Sequence, residues 1–304
     1  MNKLINSSYI VVSHKYTSGP DDDLVEYLSR NKVSNALHIK HSFSSRSDRS
    51  SSYSWYRDGV LYKNEVSYDY AQFPEFFIYL KELIYTFYYI KKTNVKYEVY
   101  IGLDGLCFLF GSIFEIFHHK YKRIIFWAID YVPNERFKSQ SKNYIYKKIN
   151  LFGYKRANEM WDLSPMMLEA RKHFKDCDPD IYRLHRVVAY GAWLDRIRKY
   201  SYSECEKSTL VYMGHIHKKS GLQLVIASIP TILNYIPNFK FKIIGSGPYL
   251  QELKKLALSL NVAESCDFKG KIDDIKAVED EIARSALSIA PYIASLDTFT
   301  KYAD

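Results

Sequence analysis

Short apolar runs alternate along the chain with segments whose apolar positions recur every three or four residues, which predicts strands followed by helices. In the first half YIVVS at 9–13, residues 35–39, EVYIGL at 98–103 and RIIFWAI at 123–129 read as buried strands. Residues 23–30 and 143–157 read as helices, and a third helix opens at Pro165, where proline suits the first helical position. A Ser-rich stretch, SFSSRSDRSSSYSWYRDG, leads into a hairpin at Asp58-Gly59. In the second half strands are expected at 210–213, 239–244, 267–271 and 287–290. Between them lie helical segments with apolar residues at 222, 225, 226, 229, 232, 233 and 236, and at 250, 253, 256, 257 and 260. Such alternation is that of open, mostly parallel sheets whose strand-to-helix turns face a ligand. A chain of 304 residues exceeds what one core fills, and the polar stretch KYSYSECEK at 199–207 divides it into domains at 1–203 and 204–304.

One helical segment is ambiguous. PEFFIYLKELIYTFYYIKK places apolar residues at 76, 77, 80, 83, 84, 87 and 90, with Tyr79, Tyr85, Tyr88 and Tyr89 on the remaining faces and Lys91 and Lys92 at its end. It either packs on a sheet or lies on a bilayer, tyrosines at headgroup level and lysines on anionic lipid. The scarcity of Lys and Arg on its polar face favours the sheet.

Composition alters this picture in two respects. The 28 Tyr and 17 Phe make the chain rich in rings, and of its formal charge of +9 residues 1–204 carry +8 and residues 205–304 only +1. A basic first half either is a solvated surface or meets an anionic partner such as a phosphorylated acceptor or anionic lipid. Nucleic acid is not expected, because there is no Lys/Arg stripe and no aromatic RNA-binding motif. The four cysteines form no C-x-x-C pair, so neither a zinc site nor a disulfide framework is indicated. No apolar run reaches membrane-spanning length and the N-terminal one is short for a secretion signal, so a cytoplasmic protein is expected, soluble or peripheral at the inner face of a membrane.

Candidate chemistry sits at predicted strand ends. In the first half these are the loop glycine Gly19 and the carboxylates Asp104 and Asp130, each of which could instead be an ordinary turn or cap residue. In the second half Gly214, His215, Lys218 and Lys219 precede a helix whose first N–H groups, with the lysines, form a cradle for a diphosphate. Gly245-Ser246-Gly247-Pro248 follows the next strand. It is no dinucleotide fingerprint, since Leu250 stands at the third glycine position.

In order and spacing, MGHIHKKSG, IIGSGP, FKG and APY resemble the retaining glycosyltransferases of family 4. The resemblance covers residues 210–304 and extends more loosely upstream through IDYVP, WDLSP and YGAWLDR. It implies the GT-B fold, two Rossmann-like domains facing a cleft, and a hexosyl transfer from a nucleotide-sugar to a glycan or lipid-linked acceptor in cell-surface polysaccharide synthesis. It puts Gly214 and Lys219 on the donor diphosphate, with His215 and Lys218 as further donor-binding candidates in the same turn, and Gly245, Ser246 and Gly247 near the nucleotide. The backbone at Lys269 and Gly270 falls near the base, and Asp297 begins the loop that holds the sugar. Asp130 occupies the strand-end position where the family often has His and is the catalytic candidate, with Gly19 and Asp104 on the acceptor side. No cofactor or metal is expected, since backbone and lysines take the leaving charge. Three departures stand out: His215 replaces the usual Arg, Ser220 separates Lys219 from the following glycine, and the family pattern continues beyond Asp304. The last makes the second domain read as incomplete, so a binding module without activity is the alternative.

Overall fold

The computed structural model describes residues 2–14, 19–42, 49–70, 72–132, 136–174, 183–191, 193–195 and 199–293. Asp297 lies outside them. The chain forms two compact units, a first up to Gly191 and a second from Ala192, so the contact boundary precedes the polar stretch chosen from sequence.

The first unit opens with a short helix α1 (Asn2–Ile5) and strand β1 (Ser8–His14), followed by α2 (Pro20–Arg30) and β2 (Asn35–His41). A hairpin, β3 (Ser51–Arg57) and β4 (Val60–Val66), turns at Asp58 and Gly59, both of which take positive φ. Then come α3 (Glu75–Thr93), β5 (Val99–Leu103), α4 (Asp104–Phe117), β6 (Arg123–Ala128), α5 (Gln140–Arg156), β7 (Glu159–Asp162), α6 (Pro165–Phe174) and β8 (His185–Val187). The strands form one sheet in the order β4-β3-β2-β1-β5-β6-β7-β8. Pairing is parallel from β2 through β8 and antiparallel only where β3 and β4 extend the edge.

Alternation along the strands divides the core in two. Ile10, Val12, Leu37, Ile39, Tyr100 and Phe126 face one layer, which holds α3, α4, α5 and α6, while Val11, Ala36, Ile101 and Ile125 face α2. Helix α2 starts three residues earlier than its apolar spacing suggests, because Pro20 and three aspartates suit a first turn. Helix α3 departs from expectation more deeply. It buries Ile78, Tyr89 and Ile90 but also Lys81, Glu82 and Thr86, and it exposes Phe76, Phe77, Leu80 and Ile84.

The second unit contains β9 (Glu206–Met213), α7 (Leu222–Leu233), β10 (Lys240–Ile244), α8 (Leu250–Ser259), β11 (Cys266–Gly270), α9 (Ile275–Arg284) and β12 (Ser285–Ser288). Its sheet is wholly parallel, in the order β11-β10-β9-β12, over a core of Tyr212, Ile226, Ile229, Phe241, Ile243 and Leu253. Both sheets are therefore doubly wound, with strand order reversing at β1/β5 in the first and at β9/β12 in the second. Folds of this kind hold ligands outside the carboxyl ends of the strands at such reversals.

Candidate functional site

At the reversal of the second unit the four sequence motifs meet. Gly214, with φ +156°, follows β9 and donates its N–H to Ile244 O at 3.0 Å, and Gly245 N–H donates to Gly270 O at 2.7 Å. The next residues continue the stitching, Ile216 N–H to Ser246 O at 3.0 Å and Tyr249 N–H to Ile216 O at 3.2 Å. The two turns lie so close that a β-carbon on Gly245 would stand 1.9 Å from Gly214 O, and one on Gly247 2.2 Å from Ile216 O. Gly221 takes φ +74° at the start of α7, and a β-carbon there would meet Pro291 O at 1.6 Å. Backbone contact between the turns therefore requires these three glycines. Gly270, with φ +70°, has open space where its side chain would be.

The turn from Gly214 to Gly221 is braced from within. Tyr212 donates its hydroxyl to His215 O at 3.0 Å, and buried Ser220 donates to the same oxygen at 2.9 Å while accepting His217 N–H at 3.2 Å. The serine that displaces the lysine is thus part of the turn's frame. His215 and Lys218 are exposed and Lys219 is half-buried, its carbonyl accepting Ile293 N–H at 2.8 Å. The rings of His215 and His217 meet edge to face at 4.2 Å. Burial, with the charges of His215 and Lys219, lowers the His217 pKa, which keeps that ring neutral at pH 7. Lys269 lies 3.1 Å from Asp267 and 3.5 Å from Glu281, and its pKa is raised by the hydrogen bond to Asp267.

At the reversal of the first unit stands a cluster that the sequence reading found only in part. His14, the last residue of β1, has Nδ1 2.7 Å from Asp104 Oδ2 and Nε2 3.4 Å from Glu82 Oε2. Asp104 itself is left-handed, φ +70°, and its Oδ1 accepts the N–H groups of Leu106 and Cys107, both at 2.9 Å, so it also caps α4. Burial disfavours a charged His14, but the Cys107 and Asp104 groups beside it outweigh that and hold its pKa well above the ordinary value. An imidazolium then donates to both carboxylates. Asp104 is correspondingly held below its usual value, burial being outweighed by the charge and hydrogen bond of His14. Burial and Asp104 push the Cys107 thiol up to about 12, which removes it as a thiolate nucleophile.

Beside this cluster Asp21, buried in the first turn of α2, accepts from Ser13 Oγ at 2.6 Å and from His38 Nε2 at 2.9 Å. Burial opposes its ionisation, but the hydrogen bond and charge of His38 and the charge of Lys40 bring its pKa to about 2. Asp21 Oδ1 and Glu82 Oε1 are buried without a hydrogen-bond partner among the described residues. Gly19 is buried in extended conformation at the start of α2, φ −143°, so the left-handed region plays no part in its presence there. Asp130, just past β6, is half exposed and pairs with Arg136 Nη1 at 2.7 Å; Arg136 also donates to the Tyr146 hydroxyl at 3.3 Å. Asp104 and Asp130 both act on Tyr146, whose pKa burial raises.

His14, Asp104 and Cys107 form one set of ligand-type atoms within 4.8 Å of one another, and Asp21, Asp22 and His38 form another. In each a carboxylate and an imidazole are already hydrogen-bonded, so a cation would have to displace that bond. The strand-end rule that singled out Asp130 applies equally to His14. The polar residues Lys81, Glu82 and Thr86 inside an aromatic helix were the other available signal.

The second unit matches a known family. Residues 195–294 are matched by the glycosyl transferases, group 1. A GDP-mannose-dependent alpha-(1-6)-phosphatidylinositol monomannoside mannosyltransferase of Mycobacterium tuberculosis is 30% identical over 67 residues, 22% of this chain and 17% of that protein. An uncharacterized glycosyltransferase of Haemophilus influenzae is 21% identical over 94 residues, 31% of this chain and 27% of that one. The matched segments are thus less than a third of these relatives' lengths. Among solved structures, the catalytic domain of Arabidopsis thaliana starch synthase IV, bound to ADP and acarbose, gives a TM-score of 0.63 at 10% identity, covering 95% of this chain and 78% of that one. Sucrose-phosphate synthase of Thermosynechococcus elongatus gives 0.62 at 12% identity, covering 94% and 75%. HepE of Anabaena, in complex with UDP, gives 0.59 at 11% identity, covering 94% and 74%. These likenesses, with the two doubly wound units, show a GT-B fold.

Proposed function

We propose that the chain is a retaining glycosyltransferase that moves a hexosyl group from a nucleotide-sugar to a hydroxyl of a glycan or lipid-linked acceptor, in the synthesis of a cell-surface polysaccharide. The observation that carries this reading is the convergence of the glycine turns at 214, 221 and 245–247 on the strand-order reversal of the unit that the group 1 family matches. The relative that uses GDP-mannose and the structures solved with UDP or ADP support a nucleotide-sugar as donor.

The donor diphosphate rests on the N–H groups that open α7 and on Lys218 and Lys219. In the transfer the bond between the anomeric carbon and the diphosphate oxygen breaks and its electron pair leaves with the diphosphate. Lysines and helix N-terminus stabilise that charge, as preorganised donors do wherever charge develops, and no step calls on a metal. The acceptor oxygen bonds to the anomeric carbon on the same face and its proton passes to the departing diphosphate oxygen. Asp130, steadied by Arg136, orients the acceptor hydroxyl in the first unit, with Asp104, His14 and the turn at Gly19 beside it.

Calorimetric titration with UDP- and GDP-sugars tests the donor half. One of them should bind, and Lys219→Ala should weaken it by about tenfold, the worth of one charge-assisted contact of about 1.5 kcal/mol. Unchanged binding by the variant removes Lys219 from the site, and absence of binding by every nucleotide-sugar overturns the reading.

A further inference from the structure

An amphipathic helix on a water-soluble domain turns its apolar stripe inward, but α3 carries a second apolar stripe that faces out. Phe76, Phe77 and Ile84 are 71%, 54% and 57% exposed while Glu82 and Thr86 are buried. Spacings of three and four put Phe76, Phe77, Leu80, Ile84, Tyr88 and Lys91 on one outward face. The neighbouring helix α4 adds Ile116 and Phe117 at its end, 72% and 70% exposed.

The helix that flanks this stripe on one side is basic. Helix α5 packs against α4 on the same side of the sheet as α3; it exposes Lys142, Lys147, Lys148, Lys155 and Arg156 and contains no Asp or Glu. Lys142 pairs with Glu75 and so ties the start of α5 to the start of α3. At the other end of α3, Lys91 and Lys96 line a cavity of about 470 Å3. Among the described residues no helix is long and apolar enough to cross a membrane.

We infer that this helical face of the first unit docks on an anionic bilayer surface. Phe76, Phe77, Leu80 and Ile84 enter the boundary between headgroups and acyl chains, and Lys147, Lys148 and Lys155 of α5 with Lys91 sit on lipid phosphates. Apolar insertion and basic attraction act together here, as reversible anchoring in the plane of a bilayer requires. A second copy of the chain would cover the aromatic stripe equally well, but it would bring another α5 and so more positive charge. The basic flank selects an anionic surface.

Sedimentation of the full chain with vesicles tests this. Vesicles of phosphatidylcholine with about 30% phosphatidylglycerol should bind it at least tenfold more tightly than phosphatidylcholine alone, and less well as salt rises. Phe76→Ser with Phe77→Ser, and separately Lys147→Glu with Lys148→Glu, should each lower binding to the mixed vesicles about tenfold or more. Equal binding to both vesicles, or binding to neither, overturns the inference. So does a wild-type dimer in analytical ultracentrifugation that the phenylalanine substitutions dissolve, which would give the stripe to a second copy.

Discussion

Asp21 shows how a side chain far from any motif governs the carboxyl edge of a sheet. Its carboxylate has no exposed surface and joins α2 to β1 through Ser13 and to β2 through His38. Because its pKa falls to about 2 from an ordinary 3.8, the ionised form contributes stability that is present above pH 4 and lost as pH falls through 2. The shift corresponds to about 2 kcal/mol. Asp21→Asn is therefore expected to be about 2 kcal/mol less stable than the wild type at pH 7, with the difference shrinking toward pH 2; urea denaturation of both proteins across that range checks it. His14 runs the other way. Its pKa is raised, so its contribution is complete below the unfolded value near 6.5 and is lost as pH climbs through the folded one. Neither residue's partners could be read from sequence, since His14 meets Asp104 across 90 positions and only the crossover that sets β5 beside β1 brings them together.

At the level of elements, the strands were legible because buried parallel strands are continuous apolar runs, and the hairpin because Asp58-Gly59 supplies the positive φ its turn needs. Helix starts were less so. Helix α5 begins at Gln140, where Ser139 accepts Lys142 N–H, three residues before its apolar spacing sets in. That α3 packs on the sheet was legible, and Ile90 and Phe87 meet the core, but not which other apolar positions stay outside: periodicity tells which residues share a face, not which face turns inward. The apolar positions 76, 77, 80 and 84 do share one, and it is the outer one. This outward stripe has a measurable signature. Ile78→Ala should cost about 3 kcal/mol as a large-to-small change at a buried position, whereas Phe76→Ser should change stability by about 0.5 kcal/mol or less. Chemical denaturation of the two variants distinguishes this arrangement from a helix packed apolar side down.

Across the whole molecule, the described hydrophobic clusters keep to one unit or the other, two in the first and one in the second. Calorimetry should accordingly resolve two unfolding transitions. A nucleotide-sugar at about one hundred times its dissociation constant adds about 2.7 kcal/mol to the unit that binds it, enough to raise that transition by about 10 °C while leaving the other in place. A single transition, or a shift in both, would show that the units unfold as one. The two-unit plan and the second unit's motifs were readable from the chain because each glycine turn follows its strand directly in sequence. The first unit's candidate site was readable only where a lone carboxylate ended a strand, as at Asp104 and Asp130.

The close backbone contact of the turns at 214–216 and 245–247, and of Gly221 with Pro291, bears on how kinship between such chains is judged. Neighbouring carbonyls alone require those glycines, so a related chain with no use for a donor would still be obliged to keep them. If Lys218 and Lys219 hold the donor diphosphate as proposed, their divergence on an unchanged glycine frame would be the mark of a lineage that retained the architecture and gave up the chemistry.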